Sequence, residues 1–272
     1  RRKRMAKIIT VTGAAGGTGR TTVTVNLATT LSYIYHFRVL CISLDTPSSF
    51  SLWFKLGTSQ QPTFAPRPFL DYPVNLHDIK EKTRAVAAAL HVVSEWEGKE
   101  LFFKESIDLV SDEYDFILID GLSLFGMAVL RACALSDLVI IAGGLNIHEP
   151  QNLRRLAQQI AQTQACFQRP QQLARSVLSY RVARDEEELE QELSPEEVEN
   201  LRDCYVKAYT QPLLPPLFKT EIRADEAYEH AVCNCQPVIT CHPESQTVAN
   251  YISLAGELLS LFELGKWKKE KA

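Results

Sequence analysis

Short runs of aliphatic and β-branched residues alternate along the chain with longer stretches in which apolar residues recur at helical spacing. A short apolar run is typical of a buried strand, and the longer pattern is typical of a helix with one buried face. Strands that alternate with helices indicate parallel strands joined by crossover helices. We therefore predict an α/β fold: a single-domain, doubly wound, mostly parallel β-sheet with helices on both faces.

The predicted strands are 8–12, 39–43, 90–94, 116–120, 138–142 and 176–182, with a shorter one near 238–240. The predicted helices are 21–35, 101–110, 128–135, 150–164, 195–208, 224–232 and 248–262. Four prolines within 58–75 are incompatible with a central strand or a helix interior, which predicts a surface loop there. The domain is expected to span 7–264, between a basic tail or tag remnant at 1–6 and a basic tail at 265–272.

Composition narrows the class of protein. A chain of 272 residues with 46% hydrophobic side chains can bury one sizeable core. The net charge of -4 excludes a bulk polycation that coats nucleic acid or membrane. The absence of a membrane-length apolar run or a secretory signal, together with seven scattered cysteines, predicts a cytoplasmic protein.

Two local patterns leave alternatives open. Cys233, Cys235, Cys241 and His242 allow a zinc site, although the Cys-x-Cys spacing is tighter than usual and ordinary thiols are favoured. The acidic run 185–199 is either a solvated helix face or a docking surface for a basic partner. Within that run, Ser194 and Glu197 are predicted to cap a helix reciprocally.

The strongest candidate chemistry follows the first predicted strand, where a glycine-rich turn leads into a helix. The turn, called the phosphate loop below, comprises Ala14, Ala15, Gly16, Gly17, Thr18, Gly19, Arg20, Thr21 and Thr22. Glycines let backbone N–H groups turn toward a polyphosphate, and the helix N-terminus adds positive charge. Thr21 is placed to ligate Mg²⁺ through its hydroxyl. Because Ala14 and Arg20 depart from the strict consensus, a helix-capping turn without a ligand is the alternative.

Two more predicted strands lead to a carboxylate. The strand 116–120 ends at Asp120 and resembles a Walker B strand, and Asp45 closely follows the strand 39–43. The carboxyl ends of parallel strands form the ligand-binding edge of an open α/β sheet. Both carboxylates are therefore expected at the edge that carries the phosphate loop, with Asp120 reaching Mg²⁺ through water.

Together these motifs resemble the ParA/MinD family of deviant Walker ATPases, over about residues 7–264. The family loop is typically Lys-Gly-Gly-x-Gly-Lys-Thr-Thr, which corresponds here to 15–22. The family's second strand usually ends Asp-x-Asp-Pro-Gln, where 43–47 here reads Ser-Leu-Asp-Thr-Pro. The resemblance implies a P-loop NTPase fold that holds ATP at residues 15–22 and Mg²⁺ at Thr21 and Asp120.

Departures from the family pattern limit the expected activity. Ala15 stands where the signature lysine of the family reaches the phosphates of the partner subunit, and a methyl group cannot do so. Arg20 keeps a positive charge in place of the other lysine, but its planar fork differs from a compact ammonium. Asp45 matches the carboxylate that the family associates with the attacking water. We therefore predict that Arg20 and Asp45 are catalytic in a weak ATPase.

The resemblance also implies partners. It implies a nucleotide-dependent homodimer and an adaptor or cargo protein that stimulates turnover. It also implies nonspecific DNA binding through scattered surface Lys and Arg, and hence a nucleoid location. Ordinary solvated charges are the alternative for each candidate; the candidates are Arg154, Arg155, Arg181, Arg184, Lys219 and Arg223.

Two alternatives to DNA binding stay open. A MinD-like membrane contact through 254–269 is less favoured, because the last helix already uses its apolar face for packing. A catalytically inactive, nucleotide-sensing scaffold of a secretion, pilus or polysaccharide assembly system is the other alternative. Base preference also stays open, because Tyr180 stands near a position where the family often has Asn.

Overall fold

The computed structural model describes residues 5–14, 16–44, 53, 107, 111–112, 114–121, 127–145, 149–166, 173–181, 194–209 and 215–263. Within these ranges the strands are β1 (Lys7–Gly13), β2 (Val39–Ser43), β3 (Phe116–Asp120), β4 (Leu138–Gly143), β5 (Leu173–Arg181) and β6 (Ile222–Ala224). The helices are α1 (Arg20–Tyr33), α2 (Met127–Leu135), α3 (Glu149–Cys166), α4 (Pro195–Tyr209), α5 (Glu226–Cys233), α6 (Val238–Cys241) and α7 (Gln246–Leu261).

The sheet has six strands in the order β2-β3-β1-β4-β5-β6. Every neighbouring pair is parallel. Because the chain leaves β1 toward β2 and β3 on one side and later reaches β4 on the other, the strand order reverses at β1. Open α/β sheets bind their ligands at the carboxyl ends of the strands beside such a reversal. The predicted fold class is confirmed.

Helices cover the sheet on both faces, because its central strands are apolar on both sides. On one face, Leu27 and Leu31 of α1 pack in a cluster with Tyr251 and Leu254 of α7, and all four side chains are fully buried. On the other face, the cluster contains residues of α2, α3 and α4. Burial on both faces explains why β3 and β4 read as continuous apolar runs rather than as alternating patterns.

Two assignments near the C-terminus are wrong. Residues 238–240 belong to helix α6, because Pro237 starts a helical turn in which His242 N–H donates to the Val238 carbonyl at 2.8 Å. The predicted helix 224–232 begins later, at Glu226, since Asp225 is its N-cap and accepts from Tyr228 N–H. The short strand β6 precedes that cap and was not predicted.

The remaining boundaries agree within a few residues, β5 beginning three residues before its predicted start. The reciprocal cap of α4 is confirmed: Ser194 N–H donates to Glu197 at 2.8 Å, and Glu197 N–H donates to the Ser194 hydroxyl at 3.3 Å. The predicted loop 58–75 and strand 90–94 lie outside the described residues, as does helix 101–110 apart from Ile107. No helix in the described ranges is long and apolar enough to cross a membrane.

Candidate functional site

The phosphate loop connects the end of β1 at Gly13 to the start of α1 at Arg20. Gly17 and Gly19 adopt φ angles of 76° and 78°, in the left-handed region that favours glycine. Gly19 is the N-cap of α1 and supplies no side-chain hydrogen bond, and the first turn of the helix contains no acidic residue. The N-terminal charge of α1 is therefore left for an anion from outside the helix.

Space for that anion is present at the loop. A Cβ built on Gly16 or Gly17 would meet no atom within 4 Å. The backbone of the loop is thus not covered by other described parts of the chain at these two positions. An uncapped helix N-terminus beside open space suits a phosphate group.

The candidate metal ligands lie together at the edge of the sheet. Thr21 donates its hydroxyl hydrogen to Asp120 Oδ2 at 2.8 Å, although 99 residues separate them. The register of β1 and β3 pairs Val11 with Asp120, which places the carboxylate beside the start of the loop. Asp120 is buried. A hydroxyl and a carboxylate are the hard oxygen donors that Mg²⁺ prefers, so these residues suit the ion that the fold implies.

Arg20 crosses from the loop to the end of β3. A Cβ on Gly13 would lie 3.0 Å from Cδ of Arg20 and 2.3 Å from the Thr18 hydroxyl, so only glycine lets these side chains pass. The guanidinium Nη1 of Arg20 donates to the Gly121 carbonyl at 2.7 Å. Gly121 is itself held close, since a Cβ there would lie 2.8 Å from the Val11 carbonyl.

These contacts define residues that the sequence prediction missed. Gly13 and Gly121 each follow the apolar run of a strand, which is the sequence signal that identifies them in retrospect. Tyr228 of α5 was also missed: its hydroxyl hydrogen-bonds with the side chains of Thr22 and Ser179, and burial raises its pKa. No local sequence pattern links Tyr228 to the loop, because about 200 residues separate them.

The structure brings together Gly16, Gly17, Thr18, Gly19, Arg20, Thr21, Thr22 and Asp120 at one edge of the sheet. Ala15 and Asp45 lie outside the described residues. Their assignments, respectively to nucleotide binding and to catalysis, stay predictions. The positions of the other site residues agree with their predicted roles, and the roles themselves stay predictions.

A second polar group, the edge cluster, lies at the β5–β6 end of the sheet and consists of Tyr180, Arg202, Glu221 and Arg223. Tyr180 donates to Glu221 Oε2 at 2.7 Å, and the Arg202 Nη2–Glu221 Oε1 distance is 2.7 Å. The Arg223 guanidinium lies 5.6 Å from the centre of the Tyr180 ring. Burial and the bond to Glu221 raise the pKa of Tyr180 to about 12.

The charge of Glu221 is stabilised within this cluster. Burial raises the pKa of the carboxyl, but hydrogen bonds from Arg202 and Tyr180 outweigh burial and lower the pKa overall. The Tyr180 hydroxyl is thus engaged by Glu221, and the base preference that the sequence left open stays open.

Two further predictions concern a zinc site and a set of basic surface residues. No three His, Cys, Asp or Glu side chains of the described residues form a metal-binding group. His242, which the zinc alternative requires, instead lies with Nε2 2.9 Å from His230 Nδ1. Among the basic candidates, Arg154 and Arg155 are exposed on α3, and Lys219 and Arg223 are exposed near β6. The side chains of Arg181 and Arg184 are outside the described part.

Comparison with known proteins agrees with this geometry. The family model described as the CobQ/CobB/MinD/ParA nucleotide binding domain matches residues 9–235. The sporulation initiation inhibitor protein Soj of Bacillus subtilis is 24% identical over 264 residues, covering 93% of this chain and 98% of Soj.

Solved structures show the same fold. The septum site-determining protein MinD of Pyrococcus horikoshii, complexed with Mg-ADP, has a TM-score of 0.61 at 22% identity, covering 96% of this chain and 99% of MinD. Cobyrinic acid a,c-diamide synthase of Mycobacterium smegmatis, with bound ADP and magnesium, has a TM-score of 0.66 at 16% identity, covering 96% and 97%. Both of these structures hold a nucleotide and magnesium.

Proposed function

Because this chain belongs to the CobQ/CobB/MinD/ParA family of nucleotide-binding domains, we propose that it is a nucleotide-dependent dimeric switch. It binds ATP with Mg²⁺, hydrolyses it slowly, and partitions or positions DNA or another cargo in the cytoplasm. The observation that carries the proposal is the hydrogen bond from the Thr21 hydroxyl to Asp120 Oδ2, at 2.8 Å. It lies beside the glycine-rich loop, where the N-terminus of α1 has no side-chain cap. This pair supplies ligands for a metal at the point where the loop favours phosphate.

Each residue of the site has a role in this proposal. Backbone N–H groups of 15–22 bind the phosphates, and Thr21 and Asp120 hold Mg²⁺, the latter through water. When bound, Mg²⁺ neutralises charge that develops on the phosphates. Arg20 adds a positive charge on the loop side, and Asp45 orients the attacking water.

Calorimetric titration with Mg-ATP and Mg-ADP tests nucleotide binding. We expect saturable binding, and a loss of about tenfold or more in magnesium-dependent affinity for Thr21→Ala, because a metal ligand is removed. Thr21→Ser keeps the hydroxyl and should restore the affinity. Thr29→Ala is the matched control, since Thr29 lies on the same helix and donates only to the Val25 carbonyl. An absence of binding at millimolar nucleotide contradicts the proposal.

DNA is the surface on which we propose that the switch acts, and the exposed arginines of α3 support this choice. Duplex binding should require ATP and should weaken steeply with salt, because phosphate contacts release counterions. Replacing Arg154 and Arg155 by alanine should reduce both the affinity and the salt dependence. Sedimentation with anionic liposomes but not with DNA would favour a membrane instead.

A nucleotide-sensing scaffold is the second candidate, and Ala15 and Arg20 favour it because both replace lysines of the family loop. The two candidates differ in turnover and agree in binding. Light scattering with Mg-ATP should detect dimers in both cases, while only the switch should release phosphate and return to monomers. Stable nucleotide-bound dimers without phosphate release would identify the scaffold.

A further inference from the structure

Arg20 connects two parts of the site that the backbone keeps apart. Its stem crosses Gly13 at the end of β1, where a Cβ would lie 3.0 Å from Cδ. Its Nη1 then donates to the carbonyl of Gly121 at 2.7 Å, 101 residues further along the chain. Gly121 directly follows the candidate metal ligand Asp120. A side chain of the phosphate loop thus holds the chain segment at which β3 ends.

Two backbone hydrogen bonds among the described residues also hold the chain at Gly121. Its N–H donates to the Val11 carbonyl at 2.8 Å, and the neighbouring Asp120 carbonyl accepts from Leu44 N–H at 3.0 Å. Gly121 is therefore held to β1 by its own bond to Val11 and to the phosphate loop by the bond from Arg20. An additional charge-assisted hydrogen bond at this point therefore restrains the end of β3 directly.

We propose that Arg20 is a positioning residue that couples occupancy of the phosphate loop to the position of Gly121. The inference rests on the proposed nucleotide binding and adds a regulatory connection within that site. A guanidinium presents donors along a rigid planar fork, so it can hold the Gly121 carbonyl and a phosphate oxygen simultaneously. A lysine ammonium is a single point at the end of its stem and cannot hold two separated acceptors in the same way. Phosphate bound to the fork fixes Arg20 and thereby fixes Gly121.

The first test uses the nucleotide-free protein. Amide hydrogen exchange of Gly121, followed by NMR, reports the opening of its bond to Val11. We expect Arg20→Met to accelerate exchange at Gly121 roughly tenfold, because a restraining hydrogen bond is lost, and Arg20→Lys, which keeps a donor, to accelerate it less. Arg20→Met keeps an unbranched stem and removes every donor, so it separates the bond from the packing over Gly13.

Arg38→Lys is the matched control at the opposite end of β3. Arg38 pairs with Asp115 at 3.3 Å, and its carbonyl accepts from Phe116 N–H at 3.1 Å. This variant should leave exchange at Gly121 unchanged, and both Arg20 variants should leave exchange at Phe116 unchanged. Equal exchange at Gly121 in the unaltered protein and both Arg20 variants would overturn the proposal, whatever the protein binds.

The second test adds saturating Mg-ADP. Exchange at Gly121 should slow at least threefold in the unaltered protein, and it should not respond in Arg20→Lys although calorimetry shows that nucleotide is bound. The same nucleotide response in Arg20→Lys as in the unaltered protein would overturn the coupling. Failure of the unaltered protein to bind nucleotide would instead contradict the proposed function, which calorimetry reports independently of exchange.

Discussion

The phosphate loop after β1 and the edge cluster at β5–β6 differ in where the partners of their charges come from. At the phosphate loop, the N-terminus of α1 has neither an acidic residue in its first turn nor a side-chain cap, and open space lies beside Gly16 and Gly17. In the edge cluster, by contrast, Glu221 is bonded by Arg202 and Tyr180 from inside the protein. The N-terminus of α1 thus has no side-chain cap and no acidic residue in its own first turn, whereas Glu221 has hydrogen-bonding and charged partners within the edge cluster.

This contrast separates a binding region from a stabilising region. A partly buried charge whose partners lie within the protein has little left to offer a ligand, and removing one partner of such a pair is destabilising. A helix terminus whose charge is not neutralised from within costs some stability and favours an external anion. Changes at the loop should therefore alter nucleotide chemistry most, and changes in the edge cluster should alter stability.

The largest expected effect is on turnover. Ala15→Lys should raise the single-turnover rate of ATP hydrolysis by about 100-fold, because a preorganised cation at a transferred phosphate contributes several kcal/mol. Arg20→Lys should raise the rate less, and the double variant most.

Asp45→Ala, combined with each lysine variant, is the control that should abolish the gain. Hydrolysis at several per second by the unaltered protein without a partner would show that another residue supplies the missing cation. Bound nucleotide with no gain from either lysine would favour the scaffold.

Alanine substitutions of Gly13 and Gly16 should differ in how much they destabilise the protein. Gly13→Ala places a Cβ 2.3 Å from the Thr18 hydroxyl and 3.0 Å from the Ala142 carbonyl, so it should lower the free energy of unfolding by about 1–3 kcal/mol. Gly16→Ala meets no atom within 4 Å and should change it by less than about 0.5 kcal/mol. Chemical denaturation measures both, and equal losses would show that the crossing of Arg20 and Thr18 over Gly13 is not constrained.

A smaller effect is expected in the edge cluster, with a defined pH dependence. Glu221→Gln should destabilise the protein by about 1–2 kcal/mol at neutral pH, since it removes a partly buried charge from Arg202. Glu199→Gln is the control on the same arginine, at 58% side-chain exposure, and should cost under about 0.5 kcal/mol.

The sign of the pH dependence follows from the lowered pKa of Glu221. A carboxyl whose pKa is lower in the folded state stabilises the protein above its unfolded pKa, and this contribution is lost as the pH falls through the folded value. The unaltered protein should therefore lose stability as the pH falls below 4.5, the ordinary pKa of a glutamate carboxyl. The stability of Glu221→Gln should depend less on pH in this acidic range. Parallel pH profiles would contradict the role of Glu221.

Local patterns in the sequence predicted the parts of this molecule that depend on local chemistry. The strands β2 and β3 were predicted to the residue, because each is a short apolar run that ends at a polar or charged residue. The cap formed by Ser194 and Glu197 follows a three-residue motif. Residues 238–240 were misassigned because three apolar or β-branched residues suit a strand and a short buried helix equally well.

Features that depend on distant pairing were not predictable in the same way. The proximity of Asp120 and Thr21 was anticipated only because β3 and β1, which lead to them, both end at the same edge of a parallel sheet. The contacts of Arg20 with Gly121 and of Tyr228 with Thr22 depend on tertiary packing that no local pattern records. The family resemblance supplied candidate roles for the loop, while the partners of its side chains emerged only from the fold.

The packing of α7 against α1 has a consequence for how the chain folds during synthesis. The helix that carries the phosphate loop is made well before α7, but its apolar residues Leu27 and Leu31 share a cluster with Tyr251 and Leu254 of α7. Tyr35 likewise donates its hydroxyl to the Ile252 carbonyl at 3.2 Å. Contacts so distant in sequence form slowly, and the apolar surface that α1 shares with α7 stays uncovered until α7 leaves the ribosome. A nascent chain therefore carries the complete sequence of the phosphate loop before the contacts between α1 and α7 can form.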